Sequence, residues 1–96
     1  MAKELKWLPD AIFDLNEICD YIASDSMEHA ADLSLKIQNL LQNTIEFPFS
    51  GRIVPEYNLE NLREHIYKSY RIIYLVSENY VEVVAIYHGA RELKNI

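Results

Sequence analysis

Cysteine, glycine and proline are scarce in this chain of 96 residues, which has one Cys, two Gly and three Pro. A single cysteine, Cys19, excludes a disulfide framework, so we expect it in a hydrophobic core and the protein in a reducing cytoplasm. Few glycines and prolines beside 50% hydrophobic residues exclude a disordered chain. The length suits a single domain, residues 1–96, because a second core would not fit.

Long hydrophobic runs are also missing. No stretch approaches the ~20 apolar residues that a membrane-spanning helix needs. The N-terminal residues 1–6 lack the apolar segment of a signal peptide. We therefore expect no association with a membrane.

Basic residues are few, and the net charge is −6 at pH 7. Residues 1–50 hold three lysines against nine acids, whereas residues 51–96 hold six basic and six acidic residues. Affinity for phosphate backbones comes from Lys and Arg. The charge therefore argues against nucleic acid as the main partner.

The first half of the chain predicts a strand followed by two helices. Residues 4–7 are expected as an opening strand, and Pro9 suits the first turn of a helix. Apolar residues at spacings of three and four then predict that helix: Leu8, Ala11, Ile12, Leu15, Ile18, Cys19 and Ile22. Its solvent face is predicted to carry Asp10, Asp14, Glu17 and Asp20.

The second helix is predicted to begin at a capping box and to end before Pro48. Asp25 and Glu28 form that box, three residues apart. The apolar face is predicted to carry Ala30, Leu33, Ile37, Leu40, Leu41 and Ile45. Because the connection is short, the two helices should form an antiparallel hairpin.

The second half predicts a loop over residues 48–61 and then three strands rich in β-branched and aromatic residues. The strands are expected at 64–68, 70–77 and 80–88, joined by breaks short enough for hairpins. The tail, 90–96, is expected as one helical turn. The predicted fold is α+β with the order β-α-α-β-β-β, an antiparallel sheet with the N-terminal helical hairpin packed on one face.

Four arginines and a histidine at turns and strand ends are the candidate functional residues: Arg52, Arg63, Arg71, Arg91 and His88. Each arginine either pairs with a neighbouring glutamate, such as Glu56, Glu64 or Glu82, or converges with the others on an open face. His88 either bonds the end of its strand to the 51–56 loop or acts as an acid or base beside a substrate.

The remaining aromatic and histidine residues are weaker candidates for a function. Tyr74 and the other strand tyrosines fit ordinary sheet positions, and stacking on bases is the alternative. His29 is expected on the outside of the second helix and His65 on an exposed strand face. The histidine spacing does not suit a metal site, so we expect neither a metal nor another cofactor.

Several residues and short segments in a fixed order resemble a known family: Trp7, Ala11, Asp14-Leu15, Asp20-Tyr21-Ile22-Ala23, Phe47-Pro48, Gly51-Arg52, Val54-Pro55-Glu56, Leu62-Arg63-Glu64, Tyr70-Arg71-Ile72-Ile73-Tyr74 and His88-Gly89-Ala90-Arg91. Over nearly the whole chain they resemble the RelE/ParE superfamily of toxins from bacterial type II toxin–antitoxin systems, and look most like the ParE branch. The fold that the resemblance implies, a helical hairpin on an antiparallel sheet, agrees with the predicted element order.

The resemblance implies two alternative targets. ParE-type toxins inhibit DNA gyrase and are not known as nucleases. RelE-type toxins cut mRNA on the ribosome by attack of a ribose 2′-hydroxyl on the adjacent phosphate, and for such a nuclease the resemblance casts as catalytic Arg63, Arg71, His88 and Arg91. The chain lacks the basic tail and lysine-rich sheet of ribosome-dependent relatives, so gyrase inhibition without a catalytic residue is the prediction. A decayed, non-toxic relative that still binds antitoxin is a third alternative.

The resemblance also implies a cognate antitoxin as partner. A C-terminal antitoxin segment that is disordered alone should fold over the helical hairpin and part of the sheet. Operator DNA is expected to be bound only through that antitoxin. The residues expected to contact antitoxin or target are Arg52, Arg63, Arg71, Tyr74, His88 and Arg91, with arginines meeting the acids of the antitoxin.

Overall fold

The structure, a computed structural model, describes residues 3–89 and shows two helices and a five-stranded sheet. The elements in chain order are β1 (Glu4–Trp7), α1 (Pro9–Ala23), α2 (Met27–Glu46), β2 (Arg52–Ile53), β3 (Leu62–Tyr67), β4 (Tyr70–Val76) and β5 (Tyr80–His88). The predicted α+β class is confirmed. The short strand β2 lies inside the segment predicted as a loop, and the predicted helical turn at 90–96 lies outside the described residues.

The strands are arranged in the order β1-β5-β4-β3-β2. The pairs β3–β4 and β4–β5 are antiparallel, as predicted, and β2–β3 is antiparallel too, but β1 pairs with β5 in parallel, with Trp7 opposite Val83. The sheet is therefore mixed rather than wholly antiparallel. A four-residue strand does not encode its direction, and the chain between β1 and β5, which includes the helical hairpin, supplies the long connection that a parallel neighbour requires.

The main core lies between the helical hairpin and one face of the sheet, here called the helix face. Helix residues Ala11, Leu33, Ile37 and Leu41 pack against strand residues Ile72, Val83 and Ile86. These helix positions follow the predicted spacing of three and four residues, so the amphipathic pattern placed the helices correctly. Neither helix has an apolar stretch long enough to cross a bilayer.

The opposite face of the sheet, here called the open face, is partly covered by the 54–61 segment. Val54 packs there against Leu62 of β3 and Ile73 of β4. This second small core holds the segment after β2 against the sheet.

Two helical details differ from the prediction. The N-cap of α2 is Ser26 rather than Asp25, because the Ser26 hydroxyl accepts the His29 N–H at 3.1 Å. Asp14, predicted on the solvent face of α1, is half-buried and its Oδ2 accepts the backbone N–H of Ile86 at 3.0 Å. Strand β1 pairs with β5 only as far as Val83, so it does not reach Ile86.

Candidate functional site

An ion-pair network on the open face joins β2, β3, β4 and the following loop. Side chains alternate between the two faces of a strand, so Arg52, Glu64 and Arg71 share the open face. Arg71 Nε donates to Glu64 Oε1 at 2.7 Å, and Arg52 Nε donates to Glu64 Oε2 at 2.6 Å. The two Nη atoms of Arg71 donate to the two oxygens of Glu56 at 2.7 and 2.8 Å.

Burial in this network falls from its centre to its ends. The side chain of Glu64 is 0% exposed and that of Arg71 is 11% exposed, whereas Glu56 and Arg52 reach 45% and 57%. The hydrogen bonds from Arg71 lower the pKa of Glu56 to about 2, and the same bonds raise the pKa of Arg71. The network joins two arginines to two glutamates, so its formal charges balance.

The ion-pair interpretation is thus confirmed for Arg71 and Arg52. All three donor nitrogens of Arg71 already serve carboxylates of this chain. An incoming acid or phosphate would therefore compete with Glu56 and Glu64 for that guanidinium.

Arg63 lies on the helix face, where its guanidinium binds the loop before β2. Its Nε donates to the Glu60 carbonyl at 2.6 Å, and its Nη1 donates to the Gly51 carbonyl at 3.1 Å. The guanidinium also lies over the Phe49 ring, 4.9 Å from the centroid. The fold therefore separates Arg63 from Arg71 by the thickness of the sheet.

Tyr74, which the sequence placed among the contact residues for a partner, is completely buried in this fold. Its hydroxyl donates to the Pro48 carbonyl at 2.8 Å and accepts the Gly51 N–H at 2.9 Å. Burial raises the pKa of this hydroxyl. Tyr74 thus positions the chain between α2 and β2.

His65 is half-buried on the helix face, and its predicted exposure is wrong. Its ring stacks on Tyr74 with centroids 5.2 Å apart, and its Nε2 lies 2.9 Å from Thr44 Oγ1. The Thr44 hydroxyl donates its one hydrogen to the Leu40 carbonyl at 2.8 Å. Thr44 must therefore accept from His65, which assigns the proton to Nε2, and burial lowers the pKa of the ring.

Of the remaining members of the nuclease set, the structure describes only His88. His88 is exposed at the end of β5 and meets the Tyr70 ring edge-to-face at 5.5 Å, on the helix face. Arg91 lies outside the described residues. His29 is exposed on α2, as predicted. Within residues 3–89 no group of three or more His, Cys, Asp or Glu side chains is placed to hold a metal ion.

A shallow groove runs between α1 and α2 and was not predicted from the sequence. It holds about 250 Å³ and is lined by Leu15, Cys19, Ala23, Met27, Ala31 and Ser34, among others. Burial raises the pKa of the Cys19 thiol, which donates weakly to the Ala30 carbonyl at 3.8 Å. The sequence feature that could have indicated this groove is the group of small residues of α2 at positions 30, 31 and 34.

Three comparisons with known proteins agree. Residues 5–93 match the family described as ParE toxin of type II toxin-antitoxin system, parDE. The chain is 32% identical to Toxin RelE2 of Caulobacter vibrioides over 89 residues, which covers 92% of this chain and 97% of that protein. A solved chain of the chromosomal ParDE TA system from P. aeruginosa shares the fold, with a TM-score of 0.72 and 19% identity over 88% of this chain and 94% of that one. The predicted superfamily is confirmed, and this chain belongs to the ParE toxin family of type II toxin–antitoxin systems.

Proposed function

We propose that this type II toxin inhibits growth in the bacterial cytoplasm by binding DNA gyrase, and that a cognate antitoxin neutralises it by direct contact. In this proposal the toxin acts by surface contact and has no catalytic residue. The observation that carries the proposal is the neutralised state of Arg71.

Cutting RNA by attack of a 2′-hydroxyl requires cationic groups placed where phosphate charge develops. Arg71 directs its donor nitrogens at two carboxylates, one of them fully buried. Arg63 lies on the other face of the sheet, bound to backbone carbonyls. This separation favours gyrase inhibition over ribosome-dependent mRNA cleavage.

The antitoxin site is proposed at the hairpin groove. An amphipathic helix binds a protein by placing its apolar side chains in a hydrophobic groove. The groove between α1 and α2 offers that shape, and Met27 at one end of it is 78% exposed. A segment seated there would cover the helical hairpin without disturbing the Arg71 network.

The test is a gyrase supercoiling assay with the purified chain, read for lost supercoiling and for cleaved DNA, with and without antitoxin. The expected result is inhibition that the antitoxin reverses. His88→Ala is the variant that separates the two mechanisms, because only a nuclease would need the His88 imidazole for a chemical step.

The competing outcome is also specific. If gyrase is unaffected while a ribosome-containing extract shows mRNA cleavage that His88→Ala abolishes, the protein is a nuclease. If induced expression leaves growth unchanged, the protein is a non-toxic relative.

A further inference from the structure

Most side chains that line the groove between α1 and α2 are small or apolar, and Asn16 and Asp20 add polar groups from α1. Leu15, Cys19 and Ala23 contribute from α1, and Ala31 and Ser34 contribute from α2. Because the side chains on the α2 side of the groove are small, an apolar side chain of a partner can enter between the helices.

The apolar surface continues beyond the groove on both helices. Ile12, one turn before Leu15 on α1, is 47% exposed, and Leu35, one turn after Ala31 on α2, is 58% exposed. Together with Met27 these residues give an amphipathic segment several contact points along the hairpin.

The charge of the two helices that form this groove is predominantly negative. The two helices carry seven carboxylates and one basic side chain, Lys36, apart from His29. Asp20 lines the groove, and Glu17, Glu28 and Asp32 are exposed on the same two helices. In residues 3–89 the ion pairs all belong to the open-face network, so these acids have no cationic partner there.

We infer that the groove binds a basic amphipathic segment, with apolar side chains between the helices and Lys or Arg beside the flanking acids. The inference rests on the proposed function, which makes this segment part of the antitoxin. It reverses the expectation that antitoxin acids meet toxin arginines, because Arg71 and Arg52 are already paired. An acidic segment at this groove would meet like charge along the rim.

Two synthetic peptides test the inference directly. Both carry the same apolar residues at helical spacing, one with Lys and Arg at its polar positions and the other with Glu. Fluorescence anisotropy with the full chain should show that the basic peptide binds and that its binding weakens as salt rises. The affinity of the acidic peptide should be lower than that of the basic peptide by about tenfold or more. Equal affinity for the two peptides would overturn the inference.

Variants locate the site. The triple change D20K/E28K/D32K should weaken binding of the basic peptide about tenfold, because three exposed charge pairs each add a small increment. E46K, at the other end of α2, is the matched control and should leave affinity unchanged. A31W should block the groove, and because Ala31 is exposed the fold should tolerate it. Circular dichroism checks that each variant is folded.

The cognate antitoxin separates this inference from the proposed function. If the antitoxin reverses toxicity but binds A31W and the triple variant with unchanged Kd, the groove inference is wrong and the proposed function stands. If the antitoxin does not bind or gyrase is not inhibited, the proposed function fails, and the peptide measurement alone decides what the groove binds.

Discussion

Arg71 and Glu64 form an ion pair that the sheet almost completely removes from water. Arg71 Nε lies 2.7 Å from Glu64 Oε1, and the Glu64 side chain has no exposed surface. The second oxygen of Glu64 is reached from the solvent side by Arg52, whose side chain is 57% exposed. One carboxylate therefore has a buried partner and an exposed partner, and the two contacts should differ in their contribution to stability.

Replacing Glu64 should destabilise the fold far more than removing Arg52. Glu64→Gln leaves Arg71 buried without one of its two counter-charges, and losing one member of a buried pair costs about 3–5 kcal/mol. Arg52→Ala removes an exposed contact of about 1 kcal/mol or less. Urea denaturation of both variants measures the difference in free energy of unfolding. Equal losses would show that the buried contact between Glu64 and Arg71 contributes no more to stability than the exposed contact with Arg52.

Tyr74→Phe should loosen the chain between α2 and β2. The change leaves the Pro48 carbonyl and the Gly51 N–H without the hydroxyl that bonds them, at a cost of about 1–3 kcal/mol. The free energy of unfolding should fall by that amount, and proteolysis near residues 48–51 should become faster. Unchanged stability and protease resistance would contradict the role assigned to the hydroxyl.

Gly51→Ala tests the close packing at the same place. A Cβ at residue 51 would lie 2.6 Å from the Glu64 carbonyl oxygen, which is backbone and cannot move aside easily, and 2.6 Å from Tyr74 Oη. We expect a larger loss in thermal unfolding than for the matched variant Gly89→Ala, whose Cβ would meet its nearest atom, the Ser69 carbonyl oxygen, at 3.0 Å. A smaller loss for Gly51→Ala would show that β2 can move away from β3.

The sequence predicted the helices and the three long strands because their apolar periods are strong. It could not predict the faces of polar residues in β3, where Arg63, Glu64 and His65 follow one another and period two leaves either face possible. His65 was therefore misplaced. Asp14 was misplaced because its acceptor role depends on where β1 ends beside β5, which is a tertiary relationship.

Asp14→Ala should therefore destabilise the protein although an acid on a helix suggests a solvated position. The Ile86 N–H would lose its acceptor beside the main core, at a cost of about 1–3 kcal/mol. Asp14→Asn keeps a side-chain oxygen that can accept this N–H and should recover most of the loss. Chemical denaturation compares the two variants, and equal stabilities would show that the bond contributes nothing.

His65 should make the fold less stable as the solution is acidified below about pH 6.5. Burial lowers its pKa in the folded state from 6.5, so near and below that pH the unfolded chain binds more protons. The stability that depends on neutral His65 is complete above pH 6.5 and is lost as pH falls through the folded pKa. Glu56 contributes its own loss only between about pH 4.5 and 2, because its pKa is lowered to about 2.

The measurement is the free energy of unfolding between pH 8 and pH 5, for the unchanged protein and for His65→Gln. Glutamine can still donate an N–H to Thr44 but does not titrate. As pH falls, the free energy of unfolding of the unchanged protein should decrease faster than that of the variant, by up to ~1.4 kcal/mol per pH unit. His29 and His88 are present in both proteins, so they cancel in the difference. Identical slopes would mean that the His65 ring is hydrated in the folded protein and that the stack on Tyr74 does not exclude water.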